Sequence, residues 1–181
     1  KAHPALSPLP TADTQVMYFR GTTLGNPAAA MVAKQINYDA TRSQDGMLSF
    51  AVQALSTGGY GLAWGKSLTA GVRTDTSATN GTGVDFGTGS TTFGARMYLQ
   101  SFAMTGTSCT VTIQESSDNG GGDAYAAVTG GAFAAFTTVG QQMLNTTTTT
   151  TVERYLRAVT TGTFTVGTFA VVVLRHDTAQ T

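Results

Sequence analysis

A chain of 181 residues with 41% apolar content can bury a core, which argues against intrinsic disorder, and it has room for one large domain or two small ones. Ten basic and ten acidic residues give 11% charge, less than half of the roughly 25% usual in soluble domains, and no net charge, so attraction to phosphate is weak and association is favoured. The single cysteine, Cys109, excludes an intramolecular disulfide.

In chain order, the opening Lys1-Ala2-His3-Pro4-Ala5-Leu6-Ser7-Pro8-Leu9-Pro10 reads as an extended linker, and the start at Lys1 suggests the later part of a longer polypeptide or a processed product. Val16-Met17-Tyr18-Phe19-Arg20 is a strand closed by Gly21. Residues 26–33 could open a helix at Pro27, but Met31-Val32-Ala33-Lys34-Gln35-Ile36 alternates and strand is preferred. A loop is expected over residues 37–46. Met47-Leu48-Ser49-Phe50-Ala51-Val52-Gln53-Ala54 alternates with Leu48, Phe50, Val52 and Ala54 on one face. Gly58-Gly59 breaks the chain before a short strand Tyr60-Gly61-Leu62-Ala63-Trp64, with Trp64 expected in the core. Residues 74–89 lack periodicity and mark a boundary, giving a β-segment over 1–74 and a β-sandwich over 75–181. Strands are expected at 95–104, 109–116, 124–128, 141–144, 152–159 and 164–175, with turns at Gly106, Asp118-Asn119-Gly120-Gly121-Gly122, Gly130-Gly131 and Gly162. The run Phe169-Ala170-Val171-Val172-Val173-Leu174 is apolar on both faces and belongs in a sheet centre or under a neighbouring subunit. The whole is all-β.

Threonine, about a fifth of the chain, supplies strand propensity and wet-face hydroxyls in place of charge. The six-threonine run at 146–151 fits a loop between strand ends. No residue set proposes chemistry. His3 and His176 are the two histidines, neither sits in a nucleophile elbow, and Cys109 reads as a small buried apolar residue. His and Cys are too few for a metal site built from them, and no cofactor motif occurs. The carboxylates Asp13, Asp39, Asp45, Asp75, Asp85, Glu115, Asp118, Asp123, Glu153 and Asp177 suggest no facing pair. Asp118 and Asp123, around a glycine run, have the oxygen donors calcium takes, but a hairpin turn through Asp-Asn-Gly explains the same residues. Arg154 and Arg157 are expected on opposite strand faces, as partners for Glu153 or a neighbouring subunit.

The phrases Met17-Tyr18-Phe19-Arg20-Gly21-Thr22, Ala33-Lys34-Gln35-Ile36-Asn37-Tyr38, Asp45-Gly46-Met47-Leu48-Ser49-Phe50 and Gly59-Tyr60-Gly61-Leu62-Ala63-Trp64-Gly65 together resemble the later half of the major tail (tail tube) proteins of long, non-contractile-tailed bacteriophages. Thr112-Ile113-Gln114-Glu115-Ser116-Ser117-Asp118-Asn119 and the stretch from Arg154 to Phe164 are similar to the Ig-like or jelly-roll-like β-sandwich appended to some of them. The family's N-terminal tube strands are not in this sequence. The resemblance implies a non-enzymatic virion protein assembled in the host cytoplasm. Copies of itself would form hexameric rings stacked into a tube, a β-barrel lining the lumen and the sandwich facing outward. Other virion proteins would be partners, double-stranded DNA would pass only as cargo, and no membrane is involved. The linker 1–10 and the loop 37–46, with Arg42 and Asp45, would be arms between rings. Two alternatives stand beside it: a capsid decoration or other virion surface protein, and a carbohydrate-binding module with Trp64, Tyr98, Tyr125 and Tyr155 as its platform.

Overall fold

The computed structural model describes residues 13–57 and 60–179; the opening linker with His3, and the Gly58-Gly59 break, lie outside the described residues. The described chain is all-β and antiparallel, with no helix and no closed barrel. Its strands are β1 (Thr14–Phe19), β2 (Pro27–Arg42), β3 (Leu48–Ser56), β4 (Ala63–Ser67), β5 (Arg73–Asp75), β6 (Thr79–Asn80), β7 (Val84–Asp85), β8 (Ala95–Ser116), β9 (Ala126–Ala132), β10 (Gly140–Asn145) and β11 (Tyr155–Arg175). Pro27 therefore opens a strand, as the alternation after it favours. Its ring fixes φ, and the strand position it takes needs no donor from it: Pro27 supplies only a carbonyl, which accepts the Arg20 N–H at 3.0 Å.

Two compact units divide the chain: Lys1–Val16 with Met31–Ala63, and Met17–Ala30 with Trp64–Thr181. The first unit is a long ribbon in which β2 and β3 pair from Ala33↔Ser56 to Arg42↔Leu48, with one irregularity between Gln35 and Asn37. Residues 37–42, expected as loop, continue β2, and only the turn after Arg42 reverses the chain. There the Ser43 N–H donates to the Met47 carbonyl at 2.9 Å, and the Ser43 hydroxyl bonds the Asp45 carboxylate. That short polar closure fixes the register, so alternation on both sides can pair over its whole length.

In the second unit the hydrogen-bonded order is β1-β2-β4-β11-β8-β10, with β5, β6 and β7 strung along β11 and β9 on β8. The two long strands carry the architecture. β8 and β11 pair from Tyr155↔Ser116 to Arg175↔Ala95, and each runs straight through a glycine expected to be a turn. Gly106 (φ 134°) and Gly162 (φ 117°) instead allow the strands to touch at bulges. A Cβ on Gly106 would lie 2.4 Å from Phe164 Cα, and one on Gly162 would lie 2.4 Å from the Ser108 carbonyl oxygen. Across the bulges at Thr163/Phe164, Phe164/Val166 and Thr168/Phe169 the inward positions of β11 change from Leu156 and Ala158 to Phe169, Val171 and Val173. Side chains from both halves of each strand, among them Met97, Leu99, Val111 and Ile113 of β8, meet in one buried cluster. The bent ribbon thus folds over its own core, the arrangement of a β-sandwich.

The expected boundary over 74–89 is stitched into this unit rather than free. β5 pairs Asp75↔Gly167, β6 pairs Asn80↔Val159 and β7 pairs Val84↔Leu156. A buried network explains why polar residues do this. Arg73 donates from Nε and Nη2 to the Asp75 carboxylate at 2.8 and 2.7 Å and from Nη1 to the Ala158 carbonyl at 2.9 Å, while the Thr160 hydroxyl donates to Asp75 at 2.6 Å. Both oxygens of the Asp75 carboxylate accept hydrogen bonds, which is the condition for burying it. Gly130 and Gly131 likewise lie inside β9 and not in a turn, and β4 begins at Ala63, later than the expected strand from Tyr60. β11 sits in the sheet centre, so its apolar run Phe169–Leu174 is covered on both faces, as its composition requires.

Candidate assembly surfaces

The groups that carry chemistry are occupied by structure. The Cys109 side chain is fully buried, and burial, reinforced by Asp75, pushes its thiol up to about 11. His176 follows the last strand, and burial together with Arg96 lowers its pKa. Among the described residues no group of three or more His, Cys, Asp or Glu side chains could hold a metal ion.

The loop after β8 is the hairpin turn expected from Asp-Asn-Gly. Asn119 (φ 64°) and Gly120 (φ 83°) are both left-handed. Asp118 accepts the N–H groups of Gly121 at 2.9 Å, Gly122, and Asp123 at 3.2 Å, and these bonds, led by Gly122, hold its carboxyl below the usual range. Asp123 accepts the Ser117 N–H at 2.7 Å, with the same effect on its own carboxyl. The oxygens that calcium would need are turned onto the loop's own backbone. Across the loop, desolvation followed by the Asp123 contact pushes Glu153 up to about 7.

Arg154 and Arg157 do not pair with Glu153. Arg154 grips Asp85 through Nε and Nη2 at 2.8 and 2.7 Å, and Arg157 donates to Gln114 Oε1 at 3.0 and 2.7 Å while lying 4.0 Å over the Tyr125 ring. The four aromatics proposed as a sugar platform are likewise dispersed. Tyr98 is fully buried, and it pairs with Val172 near one end of β8, whereas Tyr155 pairs with Ser116 at the other. Tyr125 and Tyr155 are each capped by an arginine. The threonine run is a loop, as expected. The Thr147 and Thr150 hydroxyls bond at 2.8 Å, and the Thr146 hydroxyl accepts the Ala95 N–H at 2.8 Å.

Two exposed surfaces bear on assembly. Trp64 is 56% exposed, not core, and meets Tyr18, also 56% exposed, edge to face at 6.0 Å and 82°. Sequence reasoning missed this pair because Tyr18 and Trp64 belong to strands separated by β2. The only signal was the row Ala28-Ala29-Ala30, whose small side chains leave room for rings from either side to meet above it. The second surface is the β2–β3 ribbon. All described side chains from Asp39 to Ser49 are exposed, as are Ala51, Gln53 and Leu55. Neighbouring residues in a strand point to opposite faces, so around the turn, from Asp39 to Ser49, the described side chains of both faces are exposed, whereas toward the other end of the ribbon Ala33 is buried and Ala54 half-buried. Leu48, on the apolar side of the alternation, is 53% exposed, and Leu55 is 61% exposed. The nine residues of β3, Leu-Ser-Phe-Ala-Val-Gln-Ala-Leu-Ser, include no charge, proline or glycine, and among the described residues β3 pairs only with β2.

No protein-family model, no curated protein and no solved structure matches this chain.

Proposed function

We propose that this chain is a structural virion protein, a non-enzymatic subunit of a bacteriophage tail tube whose copies assemble into stacked hexameric rings. The observation that carries the reading is the β2–β3 ribbon. A two-stranded hairpin is at best marginally stable in water, and the described side chains around the turn of this one are exposed. Proteins that remain single often guard an edge strand with lysine or proline, and β3 has neither. Its free N–H and C=O groups and its exposed leucines are what a neighbouring strand would satisfy. The chain's neutrality points the same way, since it sets no long-range repulsion between copies.

The bent ribbon of the second unit buries a core of its own. Its buried carboxylate, buried thiol and arginine-capped tyrosines are accounted for by packing, which leaves association as the property its surface favours. The test is negative-stain electron microscopy of the purified chain. Stacked six-fold rings are expected. A capsid decoration protein would instead remain dispersed until given a capsid lattice, and a uniform population of single copies at all concentrations would overturn the proposal.

A further inference from the structure

Tyr18 and Trp64 form an L-shaped notch. Their rings stand at 82° with centroids 6.0 Å apart, and more than half of each side chain faces solvent. The notch has a floor of alanine. Counting at regular register from the hydrogen bonds Arg20 N–H to Pro27 C=O and Ser67 N–H to Asn26 C=O places Ala29 between the two aromatics, and Ala29 is fully buried. β1 and β4 flank β2, about 9–10 Å apart, so only side chains this large over a residue this small could touch. What the two rings and the alanine between them present is ring face, ring edge and methyl, with Arg20 and Lys66 two residues along on the same strand faces.

Aromatic faces set at an angle are the surface on which extended proline-rich segments dock, because a proline ring lies flat on an aromatic face and its fixed φ lowers the entropy lost on binding. This sequence contains such a segment. Residues 3–10, His-Pro-Ala-Leu-Ser-Pro-Leu-Pro, hold three of the chain's four prolines and two leucines, and no Lys, Arg, Asp or Glu. Only Thr11, Ala12 and Asp13 separate Pro10 from the first residue of β1. To lie over Tyr18 of the same chain, the segment would have to reverse within those three residues and run back along β1. No such reversal is needed between two molecules. We infer that the Tyr18–Trp64 notch receives residues 3–10 of a second copy of this chain. The inference rests on the reading that the chain associates with itself, and it names one pair of surfaces through which it does so.

Trp64 is the chain's single tryptophan, so its emission reports on this notch alone. The full chain is diluted until sedimentation shows single copies, and a synthetic peptide of residues 1–12 is then titrated in. A saturable blue shift of Trp64 emission is expected. A peptide with Pro4, Pro8 and Pro10 replaced by serine should leave the emission unchanged. Tyr18→Ala, an exposed position that spares the core, should weaken the intact peptide by about tenfold, the effect of removing one aromatic anchor. Without added peptide, the emission should shift to the red as the chain is diluted. An emission that ignores the peptide, a serine peptide that binds equally well, or a blue-shifted emission independent of chain concentration would each overturn the inference. Rings seen by microscopy alongside a silent peptide would sink the notch and leave the assembly reading standing. A peptide that binds while no rings form would do the reverse.

Discussion

The Asp75 carboxylate, 5% exposed, is held by two Arg73 bonds and the Thr160 hydroxyl. Asp75→Ala should destabilise the second unit by about 3–5 kcal/mol, because it strands the guanidinium among buried groups, and urea unfolding measures it. Glu153 responds to pH. Its pKa is raised from the ordinary 4.5 to about 7, first by desolvation and then by Asp123, so the folded chain binds a proton that the unfolded chain has released. Stability from this group is complete below pH 4.5 and falls as pH rises through about 7. His176, lowered by burial, contributes the opposite slope as it loses its proton. Comparing the native chain with Glu153→Gln at each pH isolates the carboxyl: the melting temperature of the variant should lack the fall between pH 5 and 7. None of these contacts was legible beforehand. Asp75 and Thr160, like Tyr18 and Trp64, lie far apart in the chain, and the spacing of residues says nothing of what a distant strand brings alongside.

Most elements were legible, because alternation of apolar residues with polar ones marks strands such as β3, and the unbroken apolar run Phe169–Leu174 marks the centre of β11. What misled was glycine. Gly106 and Gly162 carry the same signal as a turn, since a positive φ and a missing Cβ serve both a reversal and a bulge. The difference lies in the partner strand, which passes each glycine without a break and approaches closer than a Cβ permits. Gly162→Ala should therefore lower the melting temperature markedly, by the equivalent of about 1–3 kcal/mol, whereas Gly87→Ala, with a positive φ but no atom near the added Cβ, should cost less. The ribbon misled in another way. Alternation in β3 is ordinarily the mark of one covered face, and here Leu48 on the apolar side is exposed, as are Ser49, Ala51, Gln53 and Leu55 on the other. Ala51→Lys, at an exposed position of β3, should leave thermal unfolding of the second unit unchanged and abolish ring formation in micrographs, because it gives the edge the charge that it lacks.

At the scale of the molecule, β11 joins everything in the second unit. It pairs with β4, β5, β6, β7 and β8, and its residues Phe169 to Val173 are fully buried. Val172→Asp places an uncompensated charge where neither face can hydrate it, and should leave the chain insoluble or unfolded, as read from soluble yield and circular dichroism. The all-β class was plain from composition and period, while the join was not, because the strand that pairs with the boundary region follows it by some eighty positions. The position of β11 also has a bearing on biogenesis. A ribosome that has polymerised the chain as far as Arg154 has made ten of the eleven described strands, yet the strand that ties β4 through β8 together is still unmade. Until residues 155–175 leave the exit tunnel, the greasy faces of β8 stand bare, so synthesis and folding of this unit are separated in time, and a stalled or clipped nascent chain would be a client for chaperones.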